Sequence, residues 1–158
     1  MIRTISNKEN IKPEILNRII FIHQECIKLV NSKYYEEEQI KEWLSQISVK
    51  NIQEQLSKTS WIYIERNNEI VGFAQYALVD KEIYQTQILP SEQGKGYGRK
   101  LYQYMEKDFK KKNIEQISLY STLNAISFYK SLGFKSIGKK NFKLISTSVV
   151  MEEMRKEL

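Results

Sequence analysis

The chain has 158 residues, enough for one domain around a single core, and 41% of them are hydrophobic and 28% charged. A net charge of +6 favours anionic partners, while one cysteine and one histidine exclude an internal disulfide and a His/Cys zinc site; Cys26 and His23 read as ordinary helix residues. No apolar run reaches the ~18 residues of a membrane span, and the opening MIRTISNKEN lacks the apolar stretch of a leader, so the sequence predicts a cytoplasmic protein with no membrane partner.

Ile2 to Ile5 alternates and reads as a first strand. NIKPEILNRIIFIHQECIKLV sets Ile15, Ile19, Ile22, Cys26 and Leu29 at helical spacing, with Pro13 in the first turn, where its missing N–H costs nothing. NSKYYEEEQIKEWLSQI reads as a second helix, with Glu36 to Glu38 in its first turn, where the helix dipole favours acids. Val49 to Leu56 adds a further turn or two. At Ser60 the period changes. WIYIER and EIVGFAQYALV are strands around Asn67-Asn68, which predicts a hairpin. KEIYQTQIL alternates as a third strand, and simple alternation puts Glu82 and Ile88 on one face.

Next comes SEQGKGYGRK, with Gly94, Gly96 and Gly98, and then a helix with Tyr97, Leu101, Met105 and Phe109 on one face. EQISLY is a strand, and NAISFYKSL is a short helix stopped by Gly133. FKSIGKKNFKLISTSVVMEEM holds two final strands. The order predicts a mixed α/β domain over residues 1–158, with one crossover helix joining two strands that can lie parallel.

The glycines sit between a strand ending at Leu89 and a helix starting at Tyr97. Glycine there permits backbone conformations other residues avoid, and it leaves N–H groups uncovered. The first N–H groups of a helix lack internal partners, and the dipole adds roughly half a positive charge. Such a turn can hold a phosphate or pyrophosphate, with Lys95 and Arg99 adding charge. The alternative is a glycine turn with no ligand. Neither G-x-x-x-x-G-K-[ST] nor G-x-G-x-x-G fits the spacing. Gln93-Gly94-Lys95-Gly96-Tyr97-Gly98 fits Gln/Arg-x-x-Gly-x-Gly/Ala at every fixed position.

ILPSEQGKGYGRKLYQYME thereby resembles the coenzyme A-binding motif of the GCN5-related N-acetyltransferases. STLNAISFYKSLGF resembles that family's downstream block, in the right order and one strand later. YYEEEQIKEW and MEEMRKEL are similar to its substrate-side helix and closing strand. The resemblance implies a mixed central sheet of about seven strands, with splayed parallel strands flanked by helices. It implies acetyl transfer from acetyl-CoA to an amine by direct attack, with no metal. The backbone at Thr86, Gln87 and Ile88 would take the pantetheine arm. The N–H groups of Gln93, Gly94, Lys95, Gly96, Tyr97, Gly98 and Arg99 would hold the pyrophosphate. Tyr129 would be the general acid, and Thr122 or Asn124 would contact CoA, although Asn124 also suits a helix N-cap. Glu82 matches the general base of one branch of the family; a water chain is the alternative. Tyr34, Tyr35, Trp43 and Tyr76 are candidates for the acceptor pocket, and the acidic run 36–38 reads first as a helix start. The partner is then a small-molecule or protein amine, with no nucleic acid, and the chain a monomer or homodimer. Two other readings compete: a catalytically silent acyl-CoA sensor on the same fold, and an RNA-binding domain, for which no RNA motif is present.

Overall fold

Among the residues that the computed structural model describes, 1–6 and 10–158, seven strands and five α-helices form one sheet with helices on both faces. They are β1 (Ile2–Thr4), α1 (Pro13–Leu29), α2 (Glu37–Ser45), α3 (Val49–Leu56), β2 (Ser60–Arg66), β3 (Glu69–Ala77), β4 (Glu82–Ile88), α4 (Tyr97–Lys111), β5 (Gln116–Ser121), α5 (Ile126–Ser131), β6 (Lys135–Lys143) and β7 (Ser148–Glu157). The sheet order is β1-β2-β3-β4-β5-β7-β6. Every pairing is antiparallel except β4 with β5, the two strands that α4 joins. The fold is therefore the mixed α/β sheet that the sequence predicts.

Strand alternation sends one set of side chains to each face. Ile62, Tyr76, Ile83, Leu119 and Met154 meet Leu101, Met105 and Phe109 of α4. Trp61, Tyr63 and Phe73 meet Leu16, Ile19, Ile22 and Cys26 of α1 and Ile52 and Leu56 of α3. Leu101, Met105 and Phe109 are fully buried, and such side chains contribute about 1.5–3 kcal/mol each. The β2–β3 hairpin turns on Asn67 and Asn68, with φ of 51° and 63°, the pair of left-handed residues that a two-residue hairpin requires.

The helix expected over 31–47 is interrupted. Asn31–Lys33 makes one 3-10 turn, and α2 starts only at Glu37. Tyr35 causes the break by turning inward: its hydroxyl donates to the Val150 carbonyl at 2.7 Å and accepts the Leu123 N–H at 3.1 Å. The helix restarts where Gln39 Oε1 accepts the Glu36 N–H at 2.7 Å, a reciprocal N-terminal cap. The acidic run 36–38 is this helix start.

The parallel pair is short. Glu82 pairs with Ser118 and Ile83 with Leu119; beyond them β4 and β5 part. At that point β4 bulges: Ile83 faces Tyr76 and Gln85 faces Gln75, with Tyr84 left over. The extra residue reverses the alternation. Ile83, Thr86 and Ile88 face α4, whereas Gln85 and Gln87 face α1. Glu82, next to Ile83, falls on the α1 side. Glu82 and Ile88 thus lie on opposite faces, not on one face as simple alternation predicts.

Candidate active site

Where β4 leaves β5, a cleft of about 920 Å³ opens. Its walls come from β4 at Gln85 to Ile88, the glycine loop and first turn of α4, α5 with Phe128 and Tyr129, the end of β5 at Tyr120 to Thr122, and α1 with His23 and Cys26. Thr86 and Tyr129 lie on the α4 side, Gln85 and Gln87 on the α1 side. Two partners can therefore approach the gap from opposite faces of the sheet.

The glycine loop supplies a row of donors. Gly94 and Gly96 have φ of +77° and +85°, and a Cβ at either would meet no atom within 4 Å. Conformation, not space, demands glycine there. At Gly98 the reason is close approach, since a Cβ would stand 3.0 Å from the Phe128 ring. The first backbone bond of α4 runs from Lys100 N–H to the Gly96 carbonyl at 3.1 Å. Among the described residues, the N–H groups from Gly94 to Arg99 make no hydrogen bond. They lie at the positive end of a 15-residue helix. Gln93 Nε2 donates to the Ile88 carbonyl at 3.1 Å and ties the loop to the end of β4. Of the two cations expected at the rim, Arg99 lines the cleft. Lys95 instead pairs with Glu92 at 3.1 Å, and Arg66 meets the same carboxylate at 3.0 Å. Lys95 and Arg66 hold the Glu92 carboxyl below the usual carboxylate range.

Two buried oxygens in the cleft wall, Thr86 Oγ1 and Asn124 Oδ1, have no hydrogen-bond partner among the described residues. An unpaired buried polar group costs about 1–3 kcal/mol, and a ligand with amide or hydroxyl groups removes that cost. Asn124 is not a helix cap: the N-cap of α5 is Ala125, and no side chain caps it. Thr122, two residues earlier, lines the cleft as well. Tyr129 is 6% exposed, with its ring centroid 5.1 Å from Phe128 and 5.7 Å from Phe134. It is a core residue and a cleft residue at once. Burial raises its phenol pKa, and the neighbouring Thr86 hydroxyl offsets part of the rise. The phenol thus keeps its proton at neutral pH and can donate it.

The remaining expectations divide. Glu82 stands in the short parallel pairing of β4 with β5, beside Ser118 and outside the cleft lining. Burial raises its carboxyl pKa; Asp80 and Glu153 add to the rise, and Lys140 opposes it. Of the four aromatics expected around an acceptor, only Trp43 lines the cleft. Tyr34 is exposed, and Tyr35 is used in the strap to Val150. Tyr76 faces α4, where its hydroxyl donates to Asp108 Oδ2 at 2.8 Å.

His23 and Cys26, read from sequence as ordinary helix residues, both line the cleft. Cys26 Sγ donates to the Ile88 carbonyl at 3.1 Å, and burial pushes its thiol up to about 12. Burial lowers His23 to about 4, so its imidazole is neutral. The signal was the three-residue spacing, which puts both on the face of α1 that meets the sheet.

Among the described residues, no cluster of three or more His, Cys, Asp or Glu side chains can hold a metal ion. No helix there is long and apolar enough to cross a membrane. A family model, the acetyltransferase (GNAT) domain, matches residues 31–158. The chain is 31% identical over 84 residues to an uncharacterized N-acetyltransferase ycf52-like of Prochlorococcus marinus, covering 51% of this chain and 47% of that one. It thus spans about half the length of that relative. The fold superposes on a GCN5-related N-acetyltransferase (aminotransferase, class-II) from Rhodopseudomonas palustris with a TM-score of 0.89, at 19% identity over 100% of this chain and 95% of the other. It also superposes on the PaiA N-acetyltransferase of Thermoplasma acidophilum in complex with coenzyme A, with a TM-score of 0.78 at 22% identity, covering 100% and 99% of the two chains.

Proposed function

The chain belongs to the GNAT acetyltransferase family, and on that premise we propose that it transfers an acetyl group from acetyl-CoA to a primary amine by direct attack. One observation carries the reading: one cleft is lined by the residues of the unbonded loop N–H groups, Gly94 and Gly96 to Arg99, and by Thr86 and Asn124 with their unpartnered Oγ1 and Oδ1. The loop N–H groups suit a pyrophosphate. The backbone of Thr86, Gln87 and Ile88 lies beyond the pairing with β5 and suits an amide-bearing arm, through groups other than the Ile88 carbonyl that Gln93 and Cys26 occupy, and Thr122 or Asn124 adds a contact. Acetyl-CoA supplies an activated thioester.

Two proton movements then fall to this chain. A lysine-like amine has a pKa near ~10.4, so only roughly 0.04% is neutral at pH 7. Attack by its nitrogen forms the C–N bond and breaks the C–S bond; the amine gives up a proton and the leaving sulfur gains one. Tyr129 donates to the sulfur. Glu82, its carboxyl pKa raised by burial and its side chain outside the cleft lining, receives the proton of the amine through water. Such general acid–base assistance contributes about 10²–10⁴-fold. The acceptor is a small-molecule or protein amine.

The test is release of free thiol from acetyl-CoA in the presence of a panel of amines, with the product identified by the mass of an added acetyl group. Acetylated amine and thiol formed in equal amounts support the proposal. Tight CoA binding with no turnover on any amine would leave a silent acyl-CoA sensor instead.

A further inference from the structure

On the α1 side of the sheet, polar groups join end to end along the cleft wall, from Thr59 through Gln75 and Gln85 to Gln87. The Trp61 indole donates to Thr59 Oγ1 at 2.8 Å, and Gln75 Nε2 donates to the same oxygen at 3.1 Å. The Thr59 hydroxyl donates to the Gln55 carbonyl at 2.8 Å. Gln85 Nε2 donates to Gln75 Oε1 at 2.8 Å, and Gln87 Nε2 to Gln85 Oε1 at 3.4 Å. Register explains the line-up: Trp61, Gln75 and Gln85 are cross-strand neighbours, and Gln87 follows two residues along β4.

The direction of this ladder is set from its Thr59 end. An indole N–H only donates and a backbone carbonyl only accepts. Thr59 therefore receives from Trp61, gives its own proton to Gln55, and offers Gln75 only a lone pair. Gln75 must turn its NH₂ to Thr59 and its oxygen to Gln85. The same choice passes to Gln85 and then to Gln87. Reversing any amide would set oxygen against oxygen, a loss felt most at Gln75, which is only 4% exposed. The ladder thus ends on the carbonyl oxygen of Gln87, held away from Gln85. Gln85 and Gln87 both line the cleft, with His23 on the facing helix. The His23 ring lies 6.2 Å from that of Phe73, the cross-strand partner of Gln87. Lys58 lines the cleft next to Thr59, at the other end of the ladder.

We infer that the amide ladder forms the acceptor-side subsite, and that Gln87 Oε1 selects an amine carrying a second N–H donor, an ammonium or an amide, over one carrying a carboxylate. The inference rests on the transferase reading. Gln87 contacts the acceptor; Gln75 and Thr59 are positioning residues that act through it.

Three acceptors of matched length test this: 1,3-diaminopropane, n-butylamine and 3-aminopropanoate, which end in an ammonium, a methyl and a carboxylate. The expected order of kcat/KM is diamine first, by at least tenfold over butylamine, and aminopropanoate last. Gln87→Met raises the KM for the diamine at least tenfold, a larger change than its effect on kcat, and brings the diamine level with butylamine. Gln75→Met shifts the diamine KM in the same direction, while Gln87→Glu keeps the diamine preference. A preference for 3-aminopropanoate, or a diamine KM indifferent to Gln87→Met, overturns the inference. Absence of thiol release with every amine would instead count against the transferase reading. Calorimetry of the same three compounds on the CoA complex then decides the ladder by itself: tightest binding of the diamine supports it, and equal or reversed affinities overturn it.

Discussion

Tyr129 on α5 turns its hydroxyl toward that of Thr86 on β4, and Thr86 Oγ1 is buried without a partner at hydrogen-bonding distance. The two hydroxyls come from different elements, and both residues line the cleft. Replacing Tyr129 by Phe keeps the ring against Phe128 and Phe134 and removes only the proton donor. The expected result is at least a tenfold fall in turnover, with CoA affinity and melting temperature close to wild type. Unaltered turnover in a folded Tyr129→Phe protein would leave Tyr129 a packing residue only.

Much of this was legible beforehand, and the failures have definite causes. The glycine turn, the Asn67-Asn68 hairpin and the apolar face of α4 are local signals, and each stands where its residues put it. The face carrying Glu82 was not legible. It depends on one surplus residue, Tyr84, and a bulge leaves no mark in an alternating pattern. Tyr76 was misplaced for a related reason: alternation says that a residue faces one side, not which side holds the cleft. His23 and Cys26 have the spacing of core residues, and only the separation of β4 from β5 turns that stretch of core into a cleft wall. The glutamine ladder is non-local throughout, since it needs the register of three strands.

Glu82 should reveal its role in a pH–rate comparison. A general base works only when ionised, so the wild-type rate falls as the pH drops through a carboxyl pKa that burial has raised. Glu82→Gln cannot accept a proton; its rate should fall most where the amine is mostly protonated, and higher pH should partly restore it. Curves for the two proteins that run parallel from about pH 6 to 9 would assign the proton to a water chain.

Glu42 couples the fold to the cleft. From α2 its carboxylate accepts the N–H groups of Ile145, Ser146 and Thr147 at 3.0 Å, and the hydroxyls of Ser146 and Thr147 as well. It thereby ties the β6–β7 turn to the helix that carries Trp43 into the cleft wall. Those donors hold its pKa far below the ordinary 4.5, hydroxyls first. A depressed carboxyl stabilises above its unfolded pKa and loses that contribution as the pH falls toward its folded one. Glu42→Gln should lower the melting temperature at pH 7 by several degrees, on the order of the shifts that single lost interactions produce. The difference from wild type should shrink below about pH 4. An equal melting temperature at pH 7 would show the turn to be held by other contacts.

The central claim is that the glycine loop holds the pyrophosphate of acetyl-CoA, and calorimetry with CoA on wild type, Gly96→Asn and Gly96→Asp tests it most directly. Gly96 has φ of +85° and open space around its Cβ. Asn tolerates that conformation and Asp nearly so, which makes the pair alike in shape and different in charge. The account predicts micromolar binding to wild type, weakened but measurable binding to Gly96→Asn, and none to a folded Gly96→Asp. Binding of CoA to Gly96→Asp with wild-type affinity would contradict it.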